Sequence, residues 1–359
     1  MKILYLMHIN WFWIRQRPHV VAELLAQRHP MMLLHYAMYR GQHKAKEMAP
    51  QMPNRLVYRL PGPLKRMSPG FEALDAWWIE QQVRRAVRTF QPDCVWVLHP
   101  VYERAIRRLR SQRIVYDCMD DHLEFVGQGT PSLAAAEQRL VERADLCVFS
   151  SQTLAERVNA RHLSRRSVVV NNAVSGKFLQ IAEPTQTPPQ VRRPDEPVTF
   201  GYFGTISHWF DWDLVLRLLN VFPNARMHVV GPLETPVPDH SRITHLGVLP
   251  HHDLVEFSRA CDILLMPFKV NRLIESVDPV KLYEYIALGV PTMAPRYRES
   301  ERFVPYISVY GSHDEAIEQV RSLLDRTAAP ASRCDALGFL GRNTWEVRGR
   351  QLEEQLVAL

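Results

Sequence analysis

The segment DPVKLYEYIALGVP, residues 278–291, combines the residue types that hold a diphosphate without help from a metal. A proline at the start of a helix forfeits a backbone donor that has no partner there anyway. The exposed amides of that first turn can hold an anion, and Lys281 adds a full positive charge within the same turn. Glu284 lies three residues beyond Lys281 on one helical face, where it can accept hydrogen bonds from vicinal ribose hydroxyls if phosphates sit at the helix start. Gly289 and Pro291 then close the helix. The alternative for the same pair is a solvated i,i+3 ion pair on an ordinary helix.

A second cluster, Asp117, Asp120, Asp121 and His122, follows an apolar β-branched run. Crowded carboxylates beside an imidazole can raise one pKa, which suits a group that takes an acceptor proton or steadies an oxocarbenium-like centre. Asp120 or Asp121 is the expected catalytic group, with His122 beside it; the competing role is an aspartate-rich helix cap. Arg15 and Arg17 are expected to project from a loop after the first strand and to bind phosphate with their planar forks, or else to be solvated. Asp211-Trp212-Asp213 has the DXD spacing of a metal site, but an aspartate just before an apolar-periodic run is first an N-cap. His240, His245, His251 and His252 have no spacing that would gather metal ligands, so no metal and no other cofactor is expected. GYFG at 201–204 is not a GxGxxG fingerprint, which disfavours a nicotinamide enzyme, and there is no Walker loop.

These residues need a scaffold that delivers them to strand ends. Short β-branched or aromatic runs alternate with longer amphipathic ones, the pattern of strand, crossover helix and parallel strand. Strands are expected at 3–8, 32–36, 94–98, 114–117, 146–150 and 168–171, with helices at 18–27, 75–90, 101–111, 132–143 and 152–161. After a connector with five prolines at 180–197, a second series puts strands at 199–203, 227–230, 243–246, 263–266, 292–294 and 307–310. Its helices fall near 213–221, 252–259, 279–287 and 314–326, and a charged amphipathic helix ends the chain at 344–359. The expected architecture is α/β: two Rossmann-like doubly wound domains, 1–179 and 198–343, joined by the 180–197 linker and facing a common cleft, with the last helix packing back on the first domain.

Several segments together resemble the GT-B glycosyltransferases of the large group 1 type, in particular bacterial surface-polysaccharide enzymes like those of teichuronic-acid synthesis. They are the PxKLYEYxAxGxP block, TFGYFGTISHWFDWDLV (199–215), HVVGP (228–232), HLGVLPHHDLVEFSRACDILLMPF (245–268), WFWIRQRPHVVAELL (11–25) and IVYDCMDDHLEF (114–125). The resemblance implies that Lys281 and the Val280 amide bind the donor diphosphate and Glu284 the ribose. It also implies that Gly204, Thr205, Ser207 and Gly231 form the loops near the phosphates, and that the 247–249 backbone, Val248 included, contacts the base. Many members carry a further glutamate eight residues before the ribose-binding one; here that position is Ser276, with Glu275 one place off.

The 359 residues, 46% hydrophobic and 23% charged, suffice for two domains and exclude disorder. Cys94, Cys118, Cys147, Cys261 and Cys334 form an odd set without a CxxC pair, which fits a reducing cytosol. No run approaches the roughly 18 apolar residues of a membrane span, and no signal peptide is expected. The net charge of +6 conceals an asymmetry: residues 1–182 hold 26 Lys and Arg against 15 Asp and Glu, residues 183–359 hold 18 against 23. The basic half, with Trp77 and Trp78 near Arg84, Arg85 and Arg88, suits an anionic membrane surface. The expected function is metal-independent transfer of a sugar from a nucleoside-diphosphate sugar, UDP-sugar favoured, to a lipid-linked bacterial surface glycan at the cytoplasmic face of the plasma membrane. The competing readings are a non-catalytic nucleotide-sugar-binding subunit and a nucleotide-sugar epimerase on the same fold; no nucleic-acid partner is expected, since no stacking aromatics interleave the basic residues.

Overall fold

The computed structural model describes residues 1–37, 54–59, 68–127, 129–182, 197–325 and 331–359. The chain forms two compact units, Met1–Asn171 with Arg348–Leu359, and Asn172–Val347. Each is a parallel sheet clad in helices.

In the first unit seven strands run β1 Ile3–Met7, β2 Met31–Tyr36, β3 Asn54–Val57, β4 Cys94–Val97, β5 Arg113–Cys118, β6 Leu146–Phe149 and β7 Ser167–Val169. They lie in the order β3-β2-β1-β4-β5-β6-β7, all parallel. β1 and β4 are buried along their whole length, as strands covered on both faces must be. The strand order reverses between β1 and β4, so the crevice at their carboxyl ends is where an open doubly wound sheet receives a ligand. Of the long helix Pro69–Phe90, Ile79, Val83 and Ala86 are buried at helical spacing and join the core of this sheet. Pro69 follows Ser68, whose side chain accepts from the Gly70 amide, so the helix begins six residues before the apolar pattern announces it.

Two expectations for this unit differ from what is found. The helix expected at 101–111 is only a 3-10 turn, Pro100–Tyr102, and one helical turn, Glu103–Ile106. Beyond it the guanidinium of Arg143 takes the carbonyls of Arg107 and Leu109, which a continuing helix would have used itself. The edge strand β3 was not anticipated; four residues with a polar beginning carry too little pattern.

The second unit holds β8 Thr199–Phe203, β9 Arg226–Val230, β10 Ile243–His245, β11 Ile263–Leu265, β12 Thr292–Pro295 and β13 Ser308–Tyr310. The order is β10-β9-β8-β11-β12-β13, again parallel and reversing beside its first strand. The boundary expected at 179 falls earlier, at Asn172, because Val174, Phe178 and Ala182 are buried in the second unit's core around the helix Gly176–Ile181. Of the connector, residues 183–196 lie outside the described residues. The final helix, Trp345–Val357, begins in the second unit; from Arg348 on it belongs to the first, where Glu353 meets His29 at 3.0 Å and Arg166 donates to the Ala358 carbonyl and to Gln355.

Candidate functional site

The helix Val280–Leu288 starts from Pro279 with no side chain capping its first amides and no acidic residue in its first turn. The Leu282 amide turns back onto the Pro279 carbonyl at 3.1 Å, whereas the Val280 and Lys281 amides take no hydrogen bond among the described residues and can receive an anion. Asp278 fixes the approach to this helix: its buried carboxylate accepts from the Asn172 amide at 2.6 Å, from the Tyr283 hydroxyl at 3.3 Å and from Arg302 at 3.1 Å. Tyr285, from the same helix, receives the Phe203 amide on its hydroxyl at 3.2 Å, which ties the helix to the end of β8. At the other end Gly289 adopts the left-handed φ of 71°, and Arg333 donates to the carbonyls of Ile286 and Ala287.

Where β8 ends, Gly204 has a φ of 142°, and a Cβ there would lie 1.8 Å from Cε of Lys281. Gly231, after β9, has a φ of 133°, and a Cβ there would lie 2.0 Å from the Gly204 carbonyl oxygen. Glycine at both places lets two loops and the Lys281 side chain converge in a space that admits no further side chain. Lys281 runs past the rings of Tyr202 and Phe268, its ammonium 5.9 and 5.8 Å from their centroids. No carboxylate among the described residues lies within ion-pair distance of it. Burial lowers its pKa, and Glu284 acts in the opposite direction.

Glu284 likewise makes no hydrogen bond or ion pair among the described residues, and burial pushes its carboxyl up to about 7. The two side chains are thus not the solvated i,i+3 pair that the sequence left open. An unpaired ammonium and an unpaired carboxyl, both half-buried and three residues apart at the start of this helix, are groups short of partners.

The other expected donor-side residues fall into two groups. Thr205 is half-buried in the turn closed by the Tyr202 hydroxyl on its carbonyl, and Val248, 64% exposed, follows Gly247 on an open loop whose carbonyl accepts from the Gly231 amide. Ser207 is buried and satisfied, donating to Glu234 at 2.6 Å. Ser276 is fully buried and turns its hydroxyl onto the Leu273 carbonyl at 2.8 Å. Asp211 caps the helix Trp212–Val221 and meets His313 at 2.9 Å, while Asp213 pairs with Lys269, so the DXD spacing serves a cap and a surface ion pair.

In the first unit, the loops after β1, β4 and β5 bring together three imidazoles. The His8 and His99 rings lie 4.7 Å apart, His99 and His122 4.4 Å, and His8 and His122 5.5 Å. Burial holds all three neutral: His8 is pushed down to about 3, His122 to about 4, and His99 well below its usual value. Nδ1 of His8 and Nε2 of His122 are buried without a hydrogen-bond partner. Neither His8 nor His99 was anticipated; the signal available was a histidine directly after each of two apolar strands. The aspartates separate by role. Asp121 is fully buried and held by Arg161 at 2.9 and 3.2 Å, and Asp117 is locked between Arg17 and the Trp96 indole. Asp120 alone has no side-chain hydrogen bond among the described residues, and burial raises its carboxyl to about 7, with Arg17 opposing and Asp121 adding.

Arg15 and Arg17 do not share a loop surface. Arg15 is exposed and forks onto Glu23 at 2.7 and 2.5 Å. Arg17 is buried at the first position of the helix Arg17–Ala26, donating to Asp117 and to the Val170 carbonyl, which corrects the expectation that it projects toward solvent. A buried guanidinium is kept only where its donors are met, and Asp117 and the end of β7 meet them.

Known proteins share this fold. The family model described as glycosyl transferase-like matches residues 213–354. Bacillus subtilis TuaH, described as a teichuronic acid biosynthesis glycosyltransferase, is 22% identical over 244 residues, which cover 63% of this chain and 61% of that protein. Among solved structures, Anabaena HepE in complex with UDP and glucose superposes with a TM-score of 0.72 at 15% identity over the whole of both chains. Sucrose-phosphate synthase of Thermosynechococcus elongatus does so at 0.73 and 13%, also over the whole of both chains. With two doubly wound sheets and a family-model match over residues 213–354, the chain is similar in fold and in sequence to the group 1 glycosyltransferases of the GT-B class.

Proposed function

We propose that this protein is a glycosyltransferase that moves a sugar from a nucleoside-diphosphate sugar to a lipid-linked bacterial surface glycan. The observation that carries the reading is the unpaired Lys281 ammonium, which Gly204 accommodates beside the uncapped first turn of Val280–Leu288. Transfer of the sugar leaves a diphosphate that gains negative charge as the glycosidic bond breaks. Lys281 and the amides of Val280 and its neighbours are pre-set to hold that charge, which is where electrostatic catalysis acts. Because these groups carry positive charge themselves, the reaction is proposed to need no metal. UDP is the favoured nucleotide, since the Anabaena relative was solved with UDP and with UDP-glucose. Glu284, unpaired, is assigned to the ribose hydroxyls.

Asp120 is the proposed base for the acceptor proton: unpartnered, and with a carboxyl raised to about 7, it is matched to proton transfer near neutral pH. Asp121 and Arg17 hold the loops around it. A membrane-facing surface for the acceptor is supported by the helix Pro69–Phe90, where Phe71, Leu74 and Trp78 lie at i, i+3 and i+7 beside Trp77, all exposed. Trp77 and Trp78 are 44% and 45% exposed, and Arg85 and Arg88 continue the same helical line, so one stripe offers aromatics and then cations. No helix among the described residues is long and apolar enough to cross a membrane. A second reading, a nucleotide-sugar-binding subunit without activity, draws on Ser276, whose hydroxyl is spent on Leu273 at the position where the resemblance implies a glutamate in many members.

A thermal-shift screen of UDP, GDP and dTDP, alone and as sugar conjugates, tests the donor site. A ligand at 100 times its dissociation constant stabilises by about 2.7 kcal/mol. The reading fails if none shifts the wild type or if Lys281→Ala leaves the shift intact. Nucleotide release that needs an acceptor extract separates the enzyme from the silent binder.

A further inference from the structure

The amino-terminal edge of the first sheet, opposite the edge that carries Asp120 and the histidines, holds a second concentration of positive charge. Arg113 opens β5, Arg143 ends the helix Pro131–Arg143, Arg110 lies in the loop before β5, and Arg165 lies in the loop before β7. The four guanidinium-bearing residues line one pocket of about 260 Å³. A single carboxylate, Asp145, shares the lining; it already accepts the Ile114 amide at 2.8 Å and stands 3.6 Å from Arg113. Four cations against one anion leave a surplus of three charges in a small volume.

Asp145 answers Arg113 alone, and the other three arginines keep donors or charge that no carboxylate meets. Arg143 spends both terminal nitrogens on the Arg107 and Leu109 carbonyls, which fixes its side chain, while its Nε is buried with no hydrogen-bond partner. Burial lowers its pKa, Arg110 and Arg165 add to that, and Asp145 and Glu103 act in the opposite direction. Arg110 and Arg165 are exposed and have no hydrogen bond or ion pair among the described residues. Like charges converge at a cost that an oxyanion would remove, and planar guanidinium forks fit tetrahedral phosphate oxygens in pairs.

We propose that the pocket of Arg110, Arg113, Arg143 and Arg165 binds a phosphate group, as a site separate from Lys281. Its volume admits more than one bare phosphate, which suits a phosphate ester, either a soluble one or the headgroup of an anionic lipid. The test is arginine-selective modification by phenylglyoxal, read by peptide mass spectrometry at Arg110, Arg113 and Arg165. One arm adds inorganic phosphate or pyrophosphate; the other adds vesicles of phosphatidylglycerol in phosphatidylcholine, with pure phosphatidylcholine as control. Protection of about tenfold at these arginines is expected in at least one arm, and the arm that protects identifies the source. In R110A/R165A, whose replaced side chains are both exposed, protection of Arg113 should be lost. Because the readout is confined to these positions, binding at Lys281 does not enter it. No protection in either arm, equal protection by chloride at matched ionic strength, or unchanged protection of Arg113 in the double variant would overturn the proposal.

Discussion

Gly204→Ala should weaken UDP binding through a residue that it leaves in place. The new Cβ would lie 1.8 Å from Cε of Lys281 and 2.7 Å from its ammonium, so the lysine must leave its position over Tyr202 and Phe268. A charge-assisted hydrogen bond to a phosphate contributes about 1.5–3 kcal/mol, so displacement should cost about 10- to 150-fold in affinity. The alanine must also adopt a φ of 142°, a region L side chains rarely occupy, which costs the fold about 1–3 kcal/mol. Lys281→Ala should lose the same affinity without the folding penalty. The two losses share one cause, so the double variant should bind UDP about as weakly as either single variant rather than at the product of the two factors. Isothermal titration across the four proteins measures this, with chemical denaturation for the folding term. Additive losses, or a Gly204→Ala protein that binds UDP like the wild type, would refute the claim that glycine is there to admit the lysine.

The proposed base predicts that kcat/KM rises with pH through about 7, as Asp120 ionises, and that Asp120→Asn removes this limb; a flat wild-type profile counts against the assignment. The three clustered imidazoles predict acid sensitivity: their folded pKa values lie below the unfolded 6.5, so stability is fully present above that pH and lost as pH falls toward 4 and then 3, which a thermal melt at stepped pH follows and which His122→Gln should reduce. Arg161→Ala leaves the buried Asp121 carboxylate unpaired and should destabilise the first unit by about 3 kcal/mol by denaturant titration, whereas the exposed Arg15→Ala should fall within about 0.5 kcal/mol of wild type. Saturating EDTA should leave turnover unchanged, and abolished turnover would remove the metal-independent mechanism. Flotation with anionic vesicles at low salt should retain the protein and release it in a Trp77→Ser, Trp78→Ser variant; equal retention of both would move the membrane contact elsewhere.

The sheets were legible because both are parallel, and parallel strands are apolar runs punctuated by helices. Each of the expected strands in 3–8 and 199–203, for example, survives within a residue as β1 and β8. The short helices Arg272–Glu275 and Arg298–Glu301 were not, since one turn offers no periodicity to read. At the site, Lys281 and Glu284 were visible through their spacing, but their lack of partners is a property of packing. The opposite happened to Arg17, whose partners lie 100 and 153 residues away in Asp117 and Val170, beyond any local pattern. Asp278 shows the same limit: its place in the motif was plain, but its task of binding Asn172, Tyr283 and Arg302 needed the fold.

A crystal structure of the protein with UDP would place the ligand directly. The diphosphate is expected within hydrogen-bonding distance of Lys281 Nζ and the amides that begin Val280–Leu288, with the ribose hydroxyls on Glu284 and no cation bridging the phosphates. A diphosphate seated elsewhere, or held by a metal with Lys281 turned away, would contradict it.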